Sequence, residues 1–258
     1  MVLGRELLDT IGVPRDKIAP TEPGTELEAE IVKLLQLMRP ELHIRRGRSA
    51  SEFSQYAHLD VFPTFEKTFE DLRPTVADLS ERVRAADLGR ARGRIESDLD
   101  KLITSVEQQA ALVGDLVQQM PAESLLRIDV SVAIPHEGEL DELAIALSSK
   151  WSLRTDRAQD CVSQGNKLVA QRRGRMPHFG VITIEPRPAM LRILADGSGA
   201  VDFVYHLDLA ALTDSIAAVA KRNRVGWSPA QIFSRLMRQN RLRDFDDLVR
   251  EVMRVPSS

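Results

Sequence analysis

The spacing of apolar residues changes at Pro121, and this change most constrains what the chain can fold into. Between residues 72 and 120, apolar side chains recur every three or four positions, which predicts two amphipathic helices joined through GRARGR. Beyond Pro121, the segments LLRIDVSVAI and ELAIALSSKW flank the polar turn PHEGELD and predict two paired strands. A chain with both periods is expected to form an α/β fold with a mixed central sheet flanked by helices.

Further elements are expected on either side of the hairpin. A helix over 25–38 follows the breaker Pro23-Gly24, and Thr25 and Glu28 predict a capping box at its start. A short strand, LHIRR, and a helical segment from about residue 49 to 70, interrupted at Pro63, come next. After Lys150 we expect a helix over 156–172, the strand FGVITIE, a strand within ADGSGAVDFVYHL, and closing helices over 208–222, 229–239 and 244–254.

The length of 258 residues suits one large α/β domain. We therefore expect a single domain over 1–258, with 72–120 as a helical insertion within it. The helices of the insertion either pack on their own domain or form an arm for self-association, and the pattern fits both.

The lone Cys161 cannot form an internal disulfide, and no metal-type spacing links it to the five scattered histidines. We therefore expect a cytoplasmic protein. No run approaches 18 apolar residues, and the segment MVLGRELLDTIG lacks a basic stretch followed by an apolar one, so no membrane span is expected.

Positive charge is concentrated in one segment. The formal net charge is −3, yet residues 150–175 hold seven basic and only two acidic residues. Such a local basic stripe suits a protein that grips a polyanion at one place, and it equally suits a solvated helix face.

Two charged residues of the predicted hairpin could share one sheet edge. Asp129 lies on the first strand, and Ser148, Ser149 and Lys150 end the second. Phosphodiester hydrolysis uses such a pair, because a carboxylate can hold a divalent metal while an ammonium stabilises charge on the phosphate. A surface aspartate and a strand-end lysine would give the same spacing.

The segment after Lys150 could read DNA. Arg154, Asp156 and Arg157 lie at the start of the next predicted helix. Arginine matches the O6 and N7 acceptors of guanine, and aspartate accepts from the N4 amino group of cytosine, so R-x-D-R suits C·G pairs. The alternative is an ordinary helix start with Thr155 or Asp156 as N-cap.

These segments resemble a known family. SSKWSLRTDRAQ, QGNKLVAQRRGRMPH, ITIEPRP and VDFVYH are similar to the NgoMIV-type restriction endonucleases, members of the PD-(D/E)XK nuclease superfamily that cut duplex DNA containing CCGG. The similarity is dense over residues 148–209 and weaker at RIDVSV and RSASEFSQYAHL. It implies a restriction-endonuclease-like fold and a Mg²⁺ cofactor.

The resemblance also implies roles for individual residues. Asp129 would bind the metal, although Ile128 stands where proline is usual. Ser148 and Lys150 would be the first and last residues of the family's S-x-K triplet, with the Ser149 carbonyl near the metal. Glu28 would be the acidic residue of an early helix, although a capping box explains it equally well. Arg154, Asp156 and Arg157 would read CCGG, and the basic stripe adds three DNA-binding candidates: Arg172, Arg173 and Arg175.

Three departures limit the comparison. Gln164 stands where the family has a glutamate, and it is a metal-ligand candidate whose neutral amide can coordinate a metal weakly but supplies it no charge. Asp160, one turn earlier, is either a substitute carboxylate or a solvated residue. Met190 stands where enzymes that read GCCGGC have an arginine, and their N-terminal acidic residue has no counterpart, so the flanking bases stay open. The helical stretch over 72–120 exceeds the family's connection.

The sequence therefore predicts a Mg²⁺-dependent type II restriction endonuclease that cuts double-stranded DNA at a palindrome containing CCGG, with GCCGGC as one candidate site, and leaves 5′ overhangs. A palindrome is matched by two-fold symmetry, so we expect a homodimer or homotetramer. The alternatives are a CCGG-binding protein impaired by Gln164, a structure-specific repair or resolving nuclease, and a helical assembly protein built on 72–120.

Overall fold

A computed structural model of the protein describes residues 2–12, 23–61, 71–119, 126–196 and 199–257. Its sheet has six strands that lie side by side in chain order: β1 (His43–Ser49), β2 (Arg127–Ile134), β3 (Glu142–Lys150), β4 (His178–Thr183), β5 (Phe203–His206) and β6 (Leu242–Asp244). The first three strands are antiparallel and the last four, from β3 onward, are parallel. The predicted mixed α/β class and the predicted β2–β3 hairpin are confirmed.

The chain divides into two units. Unit 1, Met1–His58 with Leu125–Ser258, holds the sheet and seven helices within the described residues: α1 (Val2–Thr10), α2 (Pro23–Met38), α5 (Thr155–Gln171), α6 (Pro188–Ala195), α7 (Leu209–Lys221), α8 (Ser228–Arg238) and α9 (Phe245–Met253). Unit 2, Leu59–Ser124, holds α3 (Arg73–Ala85) and α4 (Arg92–Gln119). The two helices expected over 72–120 are present, and their role in self-association stays a prediction.

Alternation along β2 sends its apolar and polar residues to opposite faces of the sheet. Val130, Val132 and Ile134 are buried in one core cluster, which also contains Leu147 of β3 and Leu35 of α2. Asp129 and Ser131, which alternate with them, point to the other face. The sequence pattern that made the hairpin recognisable thus also keeps Asp129 out of the hydrophobic core.

The parallel strands end in one row. Lys150 of β3 is in register with Thr183 of β4, Thr183 with His206 of β5, and His206 with Asp244 of β6. Because carboxyl ends of parallel strands meet at one edge of a sheet, the segments that follow these four residues share that edge.

Helix α5 lies against the sheet at Gly165. A Cβ added there would lie 2.6 Å from the Ala200 carbonyl oxygen and 2.8 Å from the Phe179 ring. Only a residue without a side chain permits this close approach, so Gly165 sets the distance between α5 and β4.

The cap expected for α2, and the N-cap considered as an alternative for α5, are not observed. Helix α2 begins at Pro23, so Thr25 lies inside its first turn and the predicted Thr25–Glu28 capping box is not formed. Proline suits a first helical position because it has no N–H to leave unpaired. Arg154, rather than Thr155 or Asp156, is the N-cap of α5, because its backbone is extended and its carbonyl accepts from the Ala158 N–H.

Other differences concern short elements. The segment expected to be helical from residue 49 forms two 3₁₀ helices, Ala50–Glu52 and Ser54–Asp60, and residues 62–70 lie outside the described ranges. The sequence patterns missed α1, α6 and the three-residue strand β6. In the described parts of the chain, no helix combines the length and hydropathy that crossing a bilayer requires.

Candidate active site

The β2–β3 hairpin brings Asp129 and Lys150 into contact. The Lys150 Nζ donates to Asp129 Oδ2 at 2.6 Å, and each side chain is about one quarter exposed, at 25% and 24%. An ammonium and a carboxylate therefore lie together at the surface of the sheet, where solvent and a ligand can reach both.

One oxygen of Asp129 takes all of its hydrogen bonds. Besides Lys150, Oδ2 accepts from the Ser148 hydroxyl at 3.0 Å and from the Ser149 backbone N–H at 2.9 Å. Oδ1 accepts no hydrogen bond from the described residues. The arrangement holds the carboxylate in one orientation and leaves an oxygen available to a cation.

This pair lies in a cavity of about 360 Å³ between the hairpin and α5. Arg127 of β2 and Asp160, Gln164 and Lys167 of α5 also line it. Buried Cys161 forms part of its wall, with its Sγ 3.5 Å from the Ser148 hydroxyl, and burial raises the pKa of its thiol.

Glu28 of α2 lies in the electrostatic field of the same group. Burial raises its pKa above the ordinary value, and the negative charge of Asp129 raises it further, while Lys150 and two arginines act in the opposite direction. Glu28 therefore feels the charges of the Asp129–Lys150 pair, although it does not line the cavity, and it is an acidic group that is costly to ionise without a positive partner.

The side-chain amide of Gln164 is already hydrogen-bonded within the protein. Its side-chain Nε2 donates to the Arg127 carbonyl at 2.6 Å, and so ties α5 to β2 beside Asp129. A glutamate could not make this bond, since an ionised carboxylate only accepts. Asp160 is exposed on the same side of α5 and lines the cavity.

The donor set suits a hard divalent cation. Within the described ranges, no three acidic, histidine or cysteine side chains form a group that could hold a metal. Mg²⁺ does not require such a cage, because it usually binds one or two carboxylates together with substrate phosphates and water. The free Oδ1 of Asp129 and the Ser149 carbonyl are oxygen donors of the kind this ion takes, and the Glu28 carboxylate is a candidate for a second acidic ligand.

The predicted DNA-reading residues lie at the start of α5, and all three are exposed. Arg154 Nη2 donates to Asp156 Oδ2 at 3.1 Å, while Arg157 follows in the first turn. Three residues separate Lys150 from Arg154, so the reading group directly follows the strand that carries the lysine.

The other basic candidates lie at the far end of α5. Arg172 caps its C-terminus and donates to the Val169 carbonyl, and the Arg173 N–H donates to the Gln55 carbonyl at 2.8 Å. Arg175 lies 3.9 Å from Glu142 at the opposite end of β3 from Lys150. The Gln55 side chain also binds the backbone of Leu143, near the start of β3. These arginines therefore lie by the end of β3 opposite to Lys150, and the structure does not bring them to the Asp129–Lys150 pair.

Sequence reasoning missed several residues of this region. Arg127 and Lys167 line the cavity. Arg127 could have been recognised from the sequence, because it lies two positions before Asp129 on a predicted strand and residues two apart on a strand share a face. Glu185 and Arg187, within the EPRP segment, bind the backbone of Leu153 just before Arg154. No spacing rule predicts a contact between loops more than 30 residues apart.

A family model and a curated relative both match this chain in sequence. The family model described as NgoMIV restriction enzyme matches residues 32–253 of this chain, a range that contains Asp129, Lys150 and Arg154 but not Glu28. The Type II restriction enzyme NgoMIV of Neisseria gonorrhoeae is 35% identical over 111 residues, which are 43% of this chain and 37% of that enzyme. The match thus spans little more than a third of the relative's length.

One solved structure is also similar. A complex of the restriction endonuclease PspGI with substrate DNA aligns over 92% of this chain and 96% of that chain, with 13% sequence identity and a TM-score of 0.30.

Proposed function

Because this chain belongs to the NgoMIV restriction enzyme family, we propose that it is a type II restriction endonuclease that hydrolyses both strands of DNA at a palindromic site containing CCGG. The observation that carries the proposal is the contact between Asp129 and Lys150 in a cavity lined by further basic residues. Cleavage would leave 5′ phosphates on 5′ overhangs.

Asp129 and Glu28 would hold a divalent cation, for which we propose Mg²⁺, together with the Ser149 carbonyl. Such an ion would neutralise charge on the scissile phosphate and make water a stronger nucleophile. The hydrogen bonds from Ser148 and Ser149 keep the Asp129 carboxylate oriented for this role.

Lys150 would stabilise the reacting phosphate. Its ammonium would face the extra negative charge that develops as water attacks phosphorus and the bond to the 3′ oxygen breaks. Because Asp129 already holds Nζ in place, the group needs little reorganisation at that moment.

Arg154, Asp156 and Arg157 would read the CCGG core from the first turn of α5. The Arg154–Asp156 bond is exposed, so it can open at little cost when bases replace each partner. The arginines beyond the end of α5, Arg172, Arg173 and Arg175, would bind DNA phosphates farther along the duplex. Recognition of the bases that flank CCGG, including those of GCCGGC, would require contacts from residues outside this group.

Two-fold symmetry of the site favours a homodimer or homotetramer in which each subunit cuts one strand. Light scattering with and without a CCGG duplex tests this assembly. A protein that stays monomeric in both conditions contradicts it.

Digestion of a plasmid in Mg²⁺, followed by sequencing of the ends, tests the function. We expect all ends to fall within CCGG sites, and EDTA to abolish cutting. Scattered ends, or ends governed by DNA shape, would instead support a structure-specific nuclease.

The position of Gln164 favours one second candidate, a protein that binds CCGG without cutting. The amide is hydrogen-bonded to the backbone, and a neutral group adds no charge to a metal site. Tight CCGG binding with no cleavage in Mg²⁺ or Mn²⁺, unchanged by Gln164→Glu, would establish it.

A further inference from the structure

An ion pair with a buried carboxylate binds both backbone groups of one residue, Leu153, between strand β3 and helix α5. The Glu185 Oε2 accepts the Leu153 N–H at 2.8 Å, and the Arg187 Nη2 donates to the Leu153 carbonyl. Both backbone groups of a single residue are therefore held by two charged side chains.

The two side chains are also bound to each other. The Arg187 Nε donates to Glu185 Oε1 at 2.5 Å, and Nη2 donates to Oε2 at 2.8 Å. The Glu185 carboxylate is completely buried, whereas the Arg187 side chain keeps 48% of its surface exposed. Bidentate pairing of this kind fixes the angle as well as the distance between partners.

Leu153 lies between the proposed catalytic lysine and the proposed DNA-reading residues. It lies three residues after Lys150 and immediately before Arg154, and its side chain is fully buried. The Glu185 N–H donates to the Thr183 hydroxyl at 3.1 Å, and Thr183 is the register partner of Lys150. The pair thus joins the ends of β3 and β4 to the start of α5.

Holding a surface turn does not require a buried charge, because apolar packing does so at lower desolvation cost. A carboxylate and a guanidinium offer something that apolar groups lack, which is directional hydrogen bonding to both the N–H and the C=O of one residue. Of the two, Arg187 reaches solvent on the edge where Arg154 also lies.

We propose that Glu185 and Arg187 are positioning residues that hold Arg154 and the first turn of α5 at a fixed placement relative to Lys150, so that correct base reading and cleavage occur together. This inference rests on the proposed function, since it concerns the selectivity of the same site. It predicts that loosening the pair lowers discrimination between CCGG and altered sites while the Asp129–Lys150 pair stays intact.

Arg187→Lys is the deciding variant. Lysine keeps the charge, but a single ammonium cannot reproduce the fork that serves Leu153 and both oxygens of Glu185. We expect the rate of cleavage at CCGG to fall by roughly 10²-fold, since a displacement of about 1 Å costs that much. Cleavage of a site with one base pair altered, measured in Mn²⁺, should fall much less, so that selectivity drops at least about tenfold.

Arg222→Lys is the matched control. Arg222 makes a two-bonded pair with Glu6, at 3.0 and 3.3 Å, and among the described contacts neither residue is hydrogen-bonded to Leu153, Glu185 or Arg187. This variant should retain wild-type selectivity. Thermal unfolding curves of all variants define an assay temperature at which each of them is folded. Glu185→Gln serves as a second test variant if it is folded at that temperature.

Each outcome has a distinct meaning. Wild-type selectivity in folded Arg187→Lys overturns the inference, and so does an equal loss on CCGG and altered DNA, which indicates a merely structural pair. Failure of the wild-type protein to cut at CCGG instead overturns the proposed function. Binding selectivity measured in Ca²⁺ then decides the inference, which predicts weaker discrimination by Arg187→Lys.

Discussion

Lys150 and Asp129 lie 21 residues apart in the chain and 2.6 Å apart in space, because they occupy neighbouring strands of one antiparallel hairpin. Their face of the sheet is opposite to the face that carries the main hydrophobic cluster. The contact therefore lies outside that cluster. Because Asp129 also accepts hydrogen bonds from Ser148 and Ser149, its replacement must keep a side-chain oxygen, as asparagine does.

Lys150→Ala and Asp129→Asn should each reduce cleavage by at least about 10²-fold, because each removes a charge that acts on the phosphate or its metal. Plasmid cleavage in Mg²⁺ measures the loss, and circular dichroism checks that the fold is kept. Lys33→Ala, which removes an exposed lysine of α2, is the control and should cut normally. Near wild-type rates for either site variant would contradict the assignment.

Asp156→Ala and Arg157→Ala should weaken discrimination at CCGG by about 1–3 kcal/mol each, since each removes one proposed base contact. Competition between CCGG and single-substituted duplexes measures the change. Arg172→Ala, at the other end of α5, should weaken binding to all sequences alike and lower the salt slope by about one. A loss of discrimination confined to Arg172→Ala would reverse these roles.

Gln164→Glu should destabilise the protein by about 1 kcal/mol in the absence of metal, because its amide N–H to the Arg127 carbonyl is replaced by an oxygen facing an oxygen. Urea unfolding in EDTA measures this difference. Gln108→Glu, on α4, serves as a control outside the site. Unchanged stability would mean that the Gln164 bond contributes nothing to joining α5 and β2.

Asp141 should make stability depend on acid pH. Burial alone would raise its pKa, but hydrogen bonds from Arg48 and His43 outweigh that effect and hold the pKa below its ordinary value. A lowered pKa in the folded state stabilises the fold above about pH 4, and this contribution is lost as pH falls through the folded value.

Asp141→Asn should therefore cost about 1 kcal/mol near pH 6, and the difference from wild type should shrink below about pH 4. Urea unfolding over a pH series measures it. Asp78→Asn removes a strongly exposed ion pair with Arg82 and should change little at any pH. A difference that grows on acidification would contradict the direction of the Asp141 shift.

Much of this architecture could be predicted from periodicity. The hairpin, α5 and strands β4 and β5 follow from alternation or from apolar runs, and the Asp129–Lys150 contact follows from the hairpin. Helix α6 and strand β6 are short and carry too few repeats for a period to appear. The caps of α2 and α5 depend on backbone angles that Thr25 and Thr155 do not determine alone.

The site was only partly predictable for a different reason. Residue types and spacing point to Asp129, Lys150 and Arg154, but the hydrogen bond of Gln164 and the grip of Glu185 on Leu153 depend on tertiary contacts between distant segments. Such contacts leave no periodic signal in the sequence. The positive charge of Arg172, Arg173 and Arg175 is evident from the sequence, but their distance from the Asp129–Lys150 pair depends on tertiary structure in the same way.

The absence of a side chain at Gly165 restricts how a protein of this design can acquire a new target sequence. Since α5 has no room to shift or rotate against β4 at this point, variation that preserves folding must fall on its outward residues, of which Asp156 and Arg157 are the first. Directed evolution of recognition should therefore randomise that short exposed turn and leave the inner surface of the helix untouched.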